Sequence, residues 1–396
     1  MKKITVSGVG CCLVDRLYNQ ISFQSEAFSG YLSGKKGDGG LTPGRLVFKE
    51  EFDRFTGKEF LSVLPELTGG RPPEKLNVGG PCIVALIHAA QMTEGDNVFF
   101  RFYGCGGQDE DGRFLLSALQ KTPVDVGHYG LRDAMTPSTI VLSDPDYDHG
   151  NGERVFINSI GAAWNYAPQE LDDAFFASEV VVFGGTALVP AIHDHLDVLL
   201  EKAKSNGCFT IVNTVFDFRN EKAYPDRKWP LGQTDDAYRY IDLLITDRDE
   251  ALHLSGKTNQ DEAMAFFREH GVGAVVITNG AKNICLYSTG KRFNEIAFAT
   301  MPVSEAVTRE LKKGHDGDTT GCGDNFAGGM IASVVLQLQQ GKERLDLTEA
   351  CRWGVVSGGF TCFYIGGTWF EQHPGEKRER IVPYYEHYKK QTGDGA

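Results

Sequence analysis

Seven consecutive residues, Asp318-Thr319-Thr320-Gly321-Cys322-Gly323-Asp324, have the types and spacing to do chemistry on an anion. They lie in a run of small residues from Gly314 through His315 and Asp316 to Met330. Ile331, Val334, Val335 and Leu338 continue from it at helical spacing. The pattern predicts a glycine-rich loop running into a helix N-terminus, where unpaired N–H groups and the positive end of the helix dipole favour an anion. Gly321 and Gly323 let the backbone approach that anion closely, and Asp324 is then a carboxylate beside the anion site. A plain helix cap needs one small polar residue and leaves the rest of the block unexplained. The block therefore points to catalysis or phosphate binding.

The elements that must position this loop are visible in the apolar patterning. Ile4 to Val14 reads as a buried first strand ending at Asp15. Residues 16–57 are glycine-rich, lack a strong helical period and read as small strands and turns, a loop-rich segment of the kind that forms a lid. Behind Gly79-Gly80, residues Ile83, Val84, Leu86, Ile87 and Ala90 recur at helical spacing. Val98 to Tyr103 is a strand, and Gly104 to Gly112 leads from it into a helix through Leu119. Ser138 to Ser143 and Arg154 to Asn158 are strands flanking a turn-rich loop with Gly150-Asn151-Gly152. The second half alternates strands at Val180–Phe183, Thr210–Val212, Leu243–Ile245 and Val275–Ile277 with helices at 191–205, 247–255 and 261–270. That alternation indicates a mostly parallel sheet covered by helices. A helix around Tyr384 to Lys390 closes the pattern, with Tyr384, Tyr385 and Tyr388 as its docking stripe.

Composition narrows the function. Of 396 residues 47 are glycine and 15 proline, too few together for low complexity, so the glycines serve turns and close approaches in a folded chain. Lys and Arg number 40 against 53 Asp and Glu, a net charge of −13 that argues against nucleic acid as a partner. Nine cysteines without a C-x-x-C pair suit a reducing cytoplasm. No apolar run approaches the ~18–20 residues of a membrane span, and Asp15-Arg16 cuts the only stretch similar to a signal peptide. The expectation is a cytoplasmic protein with no membrane partner.

The segment Asp318 to Asp324 resembles the D-T-x-G-A-G-D signature of the PfkB/ribokinase family of carbohydrate and nucleoside kinases, with Cys322 in place of alanine. The resemblance runs in the family's order along nearly the whole chain. Asp15 follows the first strand where the family has a substrate-binding aspartate, and Gly79-Gly80 resembles its early G-G motif. Gly104 to Gly112 is similar to G-x-V-G-x-D-x-F-G, and Gly152-Glu153-Arg154 to the lid motif G-x-R. Asp247 to Glu250 stands where the family has N-x-x-E, and Thr278-Asn279-Gly280 resembles its T-x-G.

The resemblance implies a single ribokinase-like α/β domain over residues 1–396, a mostly parallel central sheet flanked by helices, with a small β-sheet lid from about 16–57 and 136–163. It implies transfer of the γ-phosphate of ATP to a hydroxyl of a sugar or sugar-like substrate. Asp324 would take the hydroxyl proton, and the N–H groups of Gly321, Cys322 and Gly323 would form an anion hole, a division of labour that suits phosphoryl transfer. Asp15, Gly79, Gly80 and Arg154 would contact the substrate, and Asp247, Thr278, Gly280 and Thr319 the nucleotide. Glu250 and Asp247 would order Mg²⁺ through waters, and Asp318 would lie near a monovalent cation such as K⁺. Lids of this family pair into dimers, so a homodimer through the lid is compatible, although no residue fixes the oligomeric state. One departure bears on the acceptor: the family continues G-G-x-x-x-N, and Val84 stands at the asparagine position, which alters the hydroxyl pattern recognised.

Two other readings stand beside this one. Gly39 to Phe48 is similar to the lid segment of adenosine-kinase-like members, and Phe23, Phe28, Tyr31 or Trp164 could stack on a base, which would make the protein a nucleoside kinase. A non-catalytic sugar- or nucleotide-binding protein on the same fold is the third. Other motifs fail on inspection. Gly256 in Ser255-Gly256-Lys257-Thr258 reads as a helix C-terminal glycine, not a P-loop. Gly8-x-Gly10 lacks the third glycine of a dinucleotide fingerprint. His193 and His195 stand two apart in a helix and point away from each other, which disfavours a metal pair.

Overall fold

The apolar run from Ile4 to Val14 is two strands, not one. It divides at Cys11-Cys12 into β1 (Ile4–Gly10) and β2 (Leu13–Tyr18), which join different sheets. Both halves are buried, so hydropathy does not separate them. The computed structural model describes residues 2–35, 37–150, 152–314 and 317–393. The later strands are β3 (Leu46–Phe48), β4 (Lys75–Gly79), β5 (Val98–Gly107), β6 (Val124–Arg132), β7 (Ser138–Asp144), β8 (Glu153–Ser159), β9 (Val180–Gly184), β10 (Phe209–Asn213), β11 (Leu243–Asp247), β12 (Ala274–Thr278), β13 (Ile284–Ser288) and β14 (Ile296–Met301).

Among the described residues these strands form two sheets. The larger has nine strands in the order β14-β13-β12-β11-β10-β9-β1-β5-β6, parallel from β12 through β6 and closed by antiparallel β13 and β14. The β-branched runs of β9 and β10 are fully buried, as a sheet with helices on both faces requires. In the Pro81–Met92 helix every residue is buried, and it packs against the Cys322–Gln339 helix, which also packs on Leu347–Thr361. The expected helix at 191–205 is broken into Pro190–His193 and Leu196–Ser205, and the last helix is longer than its stripe suggests, Glu376–Thr392. In that helix Tyr385 stacks on Trp353 with ring centroids 3.9 Å apart.

The smaller sheet has five strands, β3-β8-β7-β2-β4. It differs from the expected lid segments, because it starts at Leu13 and takes in Lys75–Gly79. The 16–57 stretch also holds a helix, Lys49–Thr56. That helix shows only Phe52 and Phe55 on its apolar side, too few to stand out as a period.

Strand alternation gives the smaller sheet two unlike faces. Tyr18, Val47, Ile140, Leu142, Val155 and Ile157 form one core with Phe52, Phe60, Val63 and Leu67 of the covering helices. The other face carries Asp15, Thr139 and Asn158, with Asn77 opposite Asp15 in register and Arg154 nearer the strand start. Asn77, Thr139 and Asn158 are buried polar groups, and Asn158 donates to Thr139 Oγ1 at 2.9 Å.

Candidate active site

The Cys322–Gln339 helix begins without a side-chain cap. Its N-cap is Gly321, in the left-handed region at φ 75°. A Cβ there would lie 2.5 Å from the Gly367 Cα, so the residue must be glycine on two counts. The loop before it is folded by Asp318, whose carboxylate accepts from the N–H of Thr320 at 2.8 Å and of Gly366 at 3.3 Å. Arg154 reaches across from the smaller sheet and donates to Thr319 Oγ1 at 2.6 Å and Thr320 Oγ1 at 2.7 Å. Arg154 thus ties the small sheet to the loop. His315 and Asp316, which belong to the same glycine-rich run, and Asn151 of the small-sheet turn lie outside the described residues.

Asp324 stands in the first turn of this helix, partly exposed, and burial of its carboxyl pushes its pKa up to about 6. Asp15, on the facing strand, is pushed up to about 8 by burial and then by the charges of Asp324 and Asp318. Gly79 pairs with Leu13 and lies against the Asp15 carboxylate, where a Cβ would collide. Gly80, at φ 111°, brings the start of the Pro81–Met92 helix against Cys11. The Asp15 carboxyl thus lies in the field of both Asp324 and Asp318.

On the other side of the loop, Asp247 ends β11 beside Thr278 of β12. Asp247 caps the Arg248–Ser255 helix: its Oδ1 accepts from Glu250 N at 2.7 Å, and Glu250 reaches back to Asp247 N. Glu250 is buried and also accepts from Thr214 Oγ1. Burial and then the Asp247 charge raise its pKa, Asp324 adds to the rise, and the hydrogen bonds from Thr214 and Asp247 N–H oppose it. Thr278, Gly280, Thr319, Cys322 and Gly323 line one cavity of about 460 Å³, floored by Val307, Phe326 and Val355. Among the described residues no three His, Cys, Asp or Glu side chains cluster as a directly held metal would need.

Sequence reasoning missed the support of the loop. Asn325, next to Asp324, donates to the carbonyls of Gly321 at 2.9 Å and Gly367 at 2.8 Å. Its Oδ1 meets His88 Nδ1 at 2.8 Å and accepts from Lys377 Nζ at 2.9 Å. Lys377 is buried, which lowers its pKa to about 7 against the pull of Glu371. No local pattern announces this network, because its members come from three separate helices.

The structure narrows one expectation, the aromatic rings offered for a base, and agrees with the readings of Val84, His193, His195 and Gly256. Phe23 and Phe28 stack on each other at 4.3 Å and are buried in the small sheet's core, so these two rings are not free to hold a base, while Tyr31 is half-buried against Phe52. Trp164 does keep an open face, on a second cavity of about 620 Å³ that it shares with Phe48 and Arg219. Val84 is buried, with its side chain against Gly367. His193 bonds to Thr186 Oγ1 and Pro230 O while His195 bonds to Ala191 O, so the two do not form a pair. Gly256 ends its helix in the left-handed region at φ 66°, as expected of a C-terminal glycine.

Comparison with known proteins places this geometry. Residues 89–371 match the model described as pfkB family carbohydrate kinase. The chain is 26% identical over 253 residues to 2-dehydro-3-deoxygluconokinase of Thermoproteus tenax, covering 63% of this chain and 71% of the relative. It is 27% identical over 244 residues to aminoimidazole riboside kinase of Salmonella typhimurium, covering 59% and 67%. Among solved structures, ribokinase from Thermotoga maritima superposes with a TM-score of 0.60 at 17% identity, over 97% of this chain and 99% of that one. The shared architecture is the ribokinase-like α/β fold.

Proposed function

The chain belongs to the pfkB family of carbohydrate kinases, and we propose that it transfers the γ-phosphoryl group of ATP to a hydroxyl of a sugar or sugar-like acceptor. The observation that carries this reading is Asp324 at an uncapped helix start, within electrostatic reach of Asp15 on one side and Glu250 on the other. The acceptor hydroxyl lies between the small sheet and the loop, and Asp324 takes its proton. A pKa near 6 leaves Asp324 ionised at neutral pH and a stronger base than a free carboxylate. Asp15, protonated below about pH 8, donates a hydrogen bond to an acceptor oxygen. The N–H groups of Gly321, Cys322 and Gly323 face the charge on the transferred group, where preorganised donors are worth most.

ATP occupies the 460 Å³ cavity, with Thr278, Gly280 and Thr319 along it. Glu250, buried beside Asp247 and in the field of Asp324, is a crowded anionic position that a divalent cation would relieve. Glu250 and Asp247 would hold Mg²⁺ mostly through water, and the bound ion would neutralise phosphate charge. Asp318, whose carboxylate shapes the loop, remains the candidate neighbour of a monovalent cation. The small sheet serves as the lid, latched through Arg154 to Thr319 and Thr320.

A sugar is favoured over a nucleoside because the face of the lid turned to the loop is polar, with Asp15, Asn77, Thr139 and Asn158, and because Phe23 and Phe28 are consumed in the lid core. The test is ADP release with ATP and Mg²⁺ against a panel of sugars, sugar acids and nucleosides. Turnover with a sugar or sugar acid and none with nucleosides is the expected result. Turnover with nucleosides alone overturns the acceptor assignment. No turnover with any member, while ATP still binds, favours the non-catalytic reading.

A further inference from the structure

All nine cysteines lie among the described residues, and seven are buried. The two that are not, Cys322 and Cys362, face each other with their sulfurs 3.4 Å apart. Cys322 opens the catalytic helix, and Cys362 follows directly on the end of the Leu347–Thr361 helix. Both line the cavity that holds Thr278, Thr319 and Gly323, so a small solute entering that space meets both sulfurs. Buried thiols elsewhere in the chain are shielded from such a reagent.

We propose that Cys322 and Cys362 are a covalent modification site, a dithiol that peroxide-class oxidants convert to a disulfide across the mouth of the anion hole. The hydrogen bond they share holds the Cys362 thiol below its ordinary range and pushes Cys322 up. Cys362 is therefore the sulfur that attacks first. Its thiolate displaces hydroxide from the peroxide, breaking the O–O bond and leaving a sulfenic acid, and the hydroxide takes up the thiol's proton as water. The Cys322 sulfur then attacks the sulfenic sulfur, the S–O bond breaks, and the oxygen leaves as a second water with the Cys322 proton. Two thiols have lost two electrons and one peroxide has gained them. An external dithiol reverses the reaction by exchange.

Bond formation brings the sulfurs from 3.4 Å to about 2.05 Å. The Cys322 N–H bonds back to Thr319 O at 3.3 Å and stands beside the Gly323 N–H, so the helix start shifts with the Cys322 side chain. A misplacement of about 1 Å at a catalytic centre costs on the order of 10²-fold. This consequence rests on the kinase reading; the disulfide itself does not.

The test treats the full chain with hydrogen peroxide, blocks remaining thiols, and maps disulfide-linked peptides alongside ADP release. The expected result is a Cys322–Cys362 cross-link with turnover reduced about tenfold or more. Both changes should reverse with dithiothreitol and be slowed by ATP and Mg²⁺. Cys362→Ser should form no cross-link and keep the same turnover before and after peroxide. Peroxide that leaves both thiols free overturns the site, and a cross-link that leaves turnover unchanged overturns its effect on the anion hole. A cross-link in a protein with no ATP-dependent turnover even when reduced overturns the kinase reading while upholding the dithiol.

Discussion

Two helices of this molecule start alike and end up with different work. The Arg248–Ser255 helix and the Cys322–Gln339 helix both carry an acid at the third helical position, Glu250 and Asp324. At the first, the N-cap is Asp247, and cap and acid satisfy each other's backbone N–H groups in a reciprocal box. At the second, the N-cap is Gly321, which has no side chain to give. No side chain caps the N–H groups there, although that of Cys322 bonds back to Thr319 O at 3.3 Å, and the acid beside them is not drawn into a cap. The cap side chain thus ties one carboxylate to its own helix start, and its absence leaves the other unbound to any cap.

Substitutions can break this contrast. The largest effect is expected for Asp324→Asn, with turnover falling about 10²–10⁴-fold and ATP affinity by calorimetry nearly unchanged. Gly321→Ala comes next. It forces a Cβ into the left-handed region and against Gly367, so thermal unfolding should show a loss of about 1–3 kcal/mol together with reduced turnover. Asp247→Ala should be the mildest, a loss of about 1 kcal/mol in denaturant melts from the missing cap, with a far smaller loss of turnover than Asp324→Asn. A loss of turnover as great as that of Asp324→Asn would erase the distinction between the two helix starts.

The candidate loop was legible in the sequence because its parts are neighbours in the chain. Gly321, Cys322, Gly323 and Asp324 declare a helix start by local spacing alone. The strands β9 to β12 were legible for a similar reason, since a strand buried on both faces is a short β-branched run. The division of Ile4–Val14 was not, because β1 and β2 are equally buried and the turn between them costs only Cys11 and Cys12. Nor was the support of the loop: His88, Asn325 and Lys377 meet only once the Pro81–Met92, Cys322–Gln339 and Glu376–Thr392 helices have packed. The two edge strands, β14 and β6, likewise lack the continuous buried run that marked their neighbours.

In the proposed reaction an ionised Asp324 takes the acceptor's proton while a protonated Asp15 donates to it. The dependence of kcat/KM on pH reads both groups in the free enzyme. With pKa values near 6 and 8, the ionised fraction of Asp324 rises through pH 6 and the protonated fraction of Asp15 falls through pH 8. A bell with its maximum near pH 7 is expected and, in Asp324→Asn, no acid limb. A profile that stays flat from pH 5 to pH 7 in the wild-type protein would contradict it.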